Sequence, residues 1–130
     1  MTNYKYYQYF QPNPDPAKAK GDCVIRALCA ATESEWIDVF DQLTYIARNT
    51  YDIPNGKDCF TTFLANHQFT QYKVSNKKGT KRPTMKSLIK QYPDKTIVGH
   101  CSHHLTCARD GKVRDTWDTT ERPLYSYWLK

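Results

Sequence analysis

Three residues of this 130-residue chain have the types and the order needed to pass an acyl group through a thiol. Cys23 follows Gly21-Asp22 and opens the run Val24-Ile25-Arg26-Ala27-Leu28. The glycine supplies a tight turn, and the apolar, alanine-rich run reads as a buried helix. A thiol at a helix start meets unpaired backbone N–H groups and the positive end of the dipole, and both favour thiolate over thiol. Far along the chain, His104 opens a hairpin whose second strand carries Asp115-Thr116-Trp117. A nucleophile, a base and an orienting acid are the parts of cysteine-based acyl transfer.

Hairpin register decides which acid serves the histidine. Asp110-Gly111 is a two-residue hairpin signal. It pairs Arg109 with Lys112, Thr106 with Asp115 and His104 with Trp117. Alternation then places His104, Thr106, Asp115 and Trp117 on one face, with Asp115 diagonally across from His104 and within hydrogen-bond reach. Asp118 falls on the other face and becomes the orienter only if a bulge shifts the register. By the same parity His103 faces away from His104. Arg26, one turn beyond Cys23, either helps to hold the thiolate or pairs with Asp22 or Glu33.

Cysteine at a helix start, histidine on a later strand and an acid on the next strand resemble the papain-like cysteine peptidase superfamily in its minimal form. Asp115-Thr116-Trp117 is similar to the family pattern in which the orienting residue precedes a small polar residue and a tryptophan that shields the histidine contact. The resemblance implies Cys23 as nucleophile, His104 as base, Asp115 as orienter and Trp117 over the substrate-binding side. It implies an α+β, papain-like fold with N-terminal helices packed on a C-terminal antiparallel sheet, and no cofactor. Papain itself has a glutamine six residues before the cysteine that helps form the oxyanion hole. That position here is Ala17, so the role passes to Asn13, with Gln11 also nearby, on a proline-rich arm.

The elements that must hold these residues are legible from periodicity and punctuation. Residues 1–20 form an extended Tyr/Pro-rich arm: Tyr4, Tyr6, Tyr7, Tyr9 and Phe10 suit an edge strand or a packed arm, and Pro12, Pro14 and Pro16 keep the path extended. A first helix runs from about Asp22, as N-cap, to Ala31. Thr32 and Glu35 have capping-box spacing for a second, whose apolar stripe is Trp36, Val39, Phe40, Leu43 and Ile46 or Ala47, ending near Arg48-Asn49. Asn55-Gly56 marks a turn before a short helix burying Phe60, Phe63 and Leu64. Thr84 caps another with Met85, Leu88 and Ile89, stopped by Pro93. Residues 96–100, the hairpin 105–117 and a tail near 123–128, read as an edge strand, complete an α+β domain spanning 1–130.

Composition narrows the class further. No apolar run approaches the ~20 residues of a membrane span, and the first residues lack the apolar core of a secretory signal. An unsignalled chain with five cysteines points to reduced thiols and a cytoplasmic setting. The net charge of +6 is uneven: no acid occurs between Cys59 and Pro93, while Lys73, Lys77, Lys78, Lys81, Arg82, Lys86 and Lys90 fall there. Outside that stretch, 13 acidic residues face the remaining 12 of 19 basic ones. The 73–90 region is therefore a solvated loop or a surface for an acidic partner or nucleic acid. Two other classes stay open. His100, Cys101, His103, His104 and Cys107 crowd together and are zinc-ligand types, but without paired finger spacing and on alternating strand faces. The basic region and tyrosines suit a non-catalytic protein- or nucleic-acid-binding module. The residues and the resemblance together point to a thiol hydrolase acting on a peptide, isopeptide or amide bond of a protein or peptide substrate.

Overall fold

The computed structural model describes residues 5–130; Tyr4, assigned above to the arm, lies outside them. The chain forms β1 (Tyr7–Tyr9), a 3₁₀ turn (Pro16–Lys18), α1 (Cys23–Thr32), α2 (Trp36–Thr50), α3 (Lys57–Asn66), β2 (Thr70–Lys73), α4 (Met85–Gln91), β3 (Ile97–Cys101), β4 (His104–Arg109), β5 (Lys112–Asp115) and β6 (Ser126–Leu129). The α+β class stands. The sheet is not purely antiparallel and not wholly C-terminal. Its six strands run β1-β5-β4-β3-β6-β2. One edge is β1 from the arm, parallel to β5; the other is β2, antiparallel to β6. The tail strand β6 is therefore interior, hydrogen-bonded to both β3 and β2, because β2 covers the edge that the sequence reading left open.

Period-two alternation sorts the strand side chains into two cores. Val98, Leu105, Cys107 and Trp128 join the residues of α1, α2 and α3. Their immediate neighbours Ile97, Ala108 and Leu129 join Met85, Leu88 and Ile89 of α4. The sheet is thus a middle layer with three helices on one face and α4 on the other. At Gly99 an added Cβ would lie 2.5 Å from the Met85 sulfur and 3.0 Å from Leu124 Cδ2, so the absent side chain is what lets α4 lie down on β3.

Local sequence explains most of the helices. In α1 every residue from Val24 to Ala31 is buried, the signature of a helix enclosed on all sides. In α2 the buried stripe is Val39, Leu43, Ile46 and Ala47. Thr84 and Ser87 cap α4 reciprocally. The Thr32/Glu35 box does not form: Thr32 is the last residue of α1, its hydroxyl donates to the Leu28 carbonyl, and α2 starts after Glu35 without a side-chain cap. Asp22 is the N-cap of α1 but makes no capping hydrogen bond, since stronger partners claim its carboxylate.

Candidate active site

Gly21, at φ +76°, makes the left-handed turn that brings the chain into α1 with Cys23 as its first residue. The strands β4 and β5 are antiparallel, with Arg109 paired to Lys112 and Ala108 to Val113 beside the turn, so His104 at the start of β4 and Asp115 at the end of β5 lie together at the far end of the hairpin. Their side chains meet at 2.7 Å, His104 Nε2 to Asp115 Oδ2. Thr106 donates its hydroxyl to the same oxygen at 2.7 Å. Asp115 rather than Asp118 is the carboxylate on the histidine. Asp118 Oδ1 accepts from the Thr120 N–H and hydroxyl.

Cys23 and His104 are in hydrogen-bond contact, and the Leu105 N–H also meets the thiol. With Nε2 held by Asp115, Nδ1 is the ring nitrogen left for the sulfur. Burial by itself pushes the Cys23 thiol up. The His104 hydrogen bond, the Leu105 N–H and the charges of His104 and Arg26 outweigh it and leave the thiol below its ordinary value. Burial likewise pushes His104 down, but hydrogen bonds to Asp115 and Cys23 and their charges raise it to about 9. The two shifts run in opposite directions, and both favour the thiolate–imidazolium pair. Asp115 is 1% exposed; burial pushes its carboxyl up, and His104, Thr106 and Arg26 together hold it below the usual range.

A second layer fixes that carboxylate. Arg26 Nε donates to Asp115 Oδ1 at 2.9 Å and Arg26 Nη1 donates to Asp22 Oδ1 at 2.8 Å. The Thr116 N–H donates to Asp115 Oδ1 at 2.7 Å. Asp22 Oδ2 accepts from the Trp36 indole and from Asn13 Nδ2, each at 3.2 Å. A continuous polar chain thus runs from the arm and α2 through Asp22, Arg26 and Asp115 to His104. The i, i+4 spacing of Asp22 and Arg26 signals their pairing; the reach of Arg26 to Asp115 across the fold has no sequence signal. Glu33 does not take Arg26: it pairs with Arg109. Asn13 lies beside the residue that precedes the nucleophile, with one amide hydrogen committed to Asp22. The Trp117 ring tilts over His104 at 5.0 Å and carries the Arg122 guanidinium at 5.6 Å.

The thiol opens into a cleft of about 290 Å³ lined by Cys23, Val24, Asn55, Lys57, Phe60, His100, His103, His104 and Leu105. A larger cavity of about 510 Å³, bounded by Phe10, Pro12, Trp36, Ile37, Arg109 and Arg114 among others, includes none of Cys23, His104 and Asp115. Its one thiol, Cys29, is pushed by burial up to about 12, so chemistry belongs to the smaller cleft. The histidine- and cysteine-rich stretch disperses. Cys101 and Cys107 sit in opposite cores, His103 is exposed in the turn before β4, and His100 packs edge-on to Phe60. Among the described residues no three His, Cys, Asp or Glu side chains form a group that could hold a metal ion, and no helix is long and apolar enough to cross a membrane.

The geometry defines an α+β protein with a thiol, an imidazole and a buried carboxylate in line at one end of a mixed sheet. The chain matches no protein-family model, no curated protein and no solved structure.

Proposed function

We propose that this chain is a papain-like cysteine hydrolase that cleaves a peptide, isopeptide or other amide bond through a thioester. The observation that carries the reading is the contact series Cys23–His104–Asp115, with the thiol lowered and the imidazole raised. Perturbation in opposite directions of two groups in contact within a cleft is what acyl-transfer chemistry needs. The Cys23 thiolate attacks the carbonyl carbon, and the carbon–oxygen π pair moves onto oxygen. The Cys23 backbone N–H, unpaired at the helix start, and the second amide hydrogen of Asn13 stabilise that oxyanion. His104 gives its proton to the departing nitrogen as the carbon–nitrogen bond breaks. Water then attacks the thioester, loses its proton to His104, and the carbon–sulfur bond breaks to release the acid. Asp115 holds the imidazole in place, and Trp117 covers the contact from solvent. With a primary carboxamide as substrate the leaving group is ammonia, and the same steps amount to deamidation.

Brief treatment with iodoacetamide followed by peptide mapping tests the reading. Burial raises Cys29, Cys59, Cys101 and Cys107, so Cys23 should react roughly tenfold or more faster than any of them. His104→Ala should remove most of that advantage at neutral pH. Labelling of Cys23 no faster than the rest would reject the catalytic assignment and leave a binding module as the better reading.

A further inference from the structure

The basic stretch that looks separate in sequence divides in space. Lys86 and Lys90 lie on α4, where their ammonium groups approach the Tyr6 ring at 5.6 and 5.8 Å; Lys86 also pairs with Glu121. The other five go elsewhere. In the β2/β6 ladder Thr70 pairs with Leu129 and Lys73 with Ser126. In the β3/β6 ladder Ser126 pairs with His100, and in the β3/β4 ladder Cys101 pairs with His104. The end of β2, the start of β6, the end of β3 and the start of β4 are therefore the same end of the sheet. Lys73 closes β2 at the catalytic end, and the loop carrying Lys77, Lys78, Lys81 and Arg82 leaves from there.

Side chains make the link continuous. Phe60 and His100 line the cleft. His100 packs edge-on to Tyr125 at 5.9 Å. The Arg82 guanidinium lies 5.0 Å above the Tyr125 ring and donates to the Leu124 carbonyl. Beyond it Lys73, Lys77, Lys78 and Lys81 are exposed, and none of these five cations is ion-paired among the described residues. On the cleft itself burial, and then the charge of nearby Lys57, hold His100 below its ordinary value, and no aspartate or glutamate lines the cleft.

We propose that the substrate is an acidic polypeptide segment, which runs from the thiol past His100 and Tyr125 onto the Lys73–Arg82 loop, its Asp and Glu side chains meeting Lys57, Lys77, Lys78 and Lys81. This rests on the thiol-hydrolase reading, since a cleft that ends at a nucleophile calls for a scissile carbonyl. A polypeptide supplies both that carbonyl and the negative charge; a nucleic acid supplies only the charge.

The test uses two pools of peptide vinyl sulfones of equal length, one with Asp and Glu at its varied positions and the other with Lys and Arg. The rate of Cys23 modification by each pool is divided by the iodoacetamide rate of the same variant. At low salt the acidic pool should react roughly tenfold or more faster than the basic pool, because steering by a fixed patch acts on encounter. The difference should shrink as added salt shortens the screening length. Lys77→Glu/Lys78→Glu/Lys81→Glu, three exposed residues whose change spares the core, should reverse the preference while the far-ultraviolet circular dichroism stays unchanged. Equal normalised rates for both pools, with Cys23 still the fastest thiol towards iodoacetamide, would overturn acidic specificity and leave the hydrolase reading intact. A thymidine oligonucleotide that binds the wild type but not the triple variant, alongside equal pool rates, would overturn it in favour of nucleic acid. Slow iodoacetamide labelling of Cys23 would instead remove the reading on which it rests.

Discussion

Truncating Arg26 leaves two carboxylates, Asp22 and Asp115, buried without the cation they share. Stranding a buried charge in this way typically costs about 3–5 kcal/mol, so Arg26→Gln should lower the urea midpoint markedly. The folded variant should show a second effect that a merely structural residue would not: the pH at which Cys23 becomes reactive should rise, because Arg26 also lowers the thiol. Arg26→Lys should recover one ion pair and not both, since an ammonium is a point donor where the guanidinium is a fork. Asp115→Ala should cost less labelling than the roughly 10²–10⁴-fold that a positioned acid–base group contributes, and Asp118→Ala less again. The pair Cys23 and His104 also makes a prediction about stability. His104 has a raised folded pKa, so its contribution is complete below pH 6.5 and is lost as pH rises through about 9. Cys23 has a depressed folded pKa, so its contribution is complete above 9.0 and is lost as pH falls through the folded value. The two dependences have opposite sign: as pH rises His104 gives up its stabilisation while Cys23 gains its own. They offset one another, so wild-type stability should change little over that span. Cys23→Ala removes the compensating group, so its thermal midpoint should fall with rising pH across the same window; a flat profile in both proteins would show that His104 is not raised. At this scale the sequence was informative about the triad, because turn type and strand parity are local rules. The Arg26–Asp115 bridge and the Leu105 N–H were not legible, because each joins segments that only the tertiary fold brings together.

Elements carry the same contrast. Hairpin β4/β5, the stripe of α2 and the cap of α4 follow from neighbours in sequence, and each was readable. β2 was not: Thr70–Lys73 has three polar residues among its four, and only one side chain is even partly covered. It becomes a strand because β6 offers an unpaired edge, and in doing so it turns β6 into an interior strand. That changes what the tail is worth. Trp128 is 1% exposed and packs edge-on to Phe60 at 5.9 Å, so Trp128→Ala should destabilise by about 3–5 kcal/mol. Had β6 been an exposed edge, trimming residues 126–130 would fray one strand. As an interior strand its loss should abolish the cooperative thermal transition altogether. Retention of a sharp transition in the trimmed chain would place β6 outside the core. Gly99→Ala should cost about 1–3 kcal/mol by overpacking against Met85 and Leu124, without changing the iodoacetamide reactivity of Cys23.

At the scale of the whole molecule, the site joins ends of the chain that are distant in sequence. Cys23 comes from the first helix, His104 and Asp115 from the last hairpin, and β1 is tied to Asp115 through the Tyr7 hydroxyl and the Phe10 N–H. The chain crosses from the segment that carries Cys23 to the segment that carries His104 and Asp115 through the exposed loop of residues 74–83, whose own hydrogen bonds are few. The contacts that hold the halves together do not pass through that loop: α1 packs on β4, β2 zips to β6, and β1 zips to β5. Cutting the loop should therefore leave the fold standing. Trypsin at low dose should cleave first after Lys77, Lys78 or Lys81, because exposed tips with few backbone hydrogen bonds are the preferred sites of nicking. The nicked protein should elute from size exclusion as one particle of unchanged volume, separate into two fragments only in denaturant, and keep the fast iodoacetamide reaction of Cys23. Its preference for the acidic vinyl sulfone pool should fall, since the severed loop no longer holds its cations in one place. Dissociation of the fragments on nicking, or loss of Cys23 reactivity with them still associated, would mean that the loop braces the site and does more than border it.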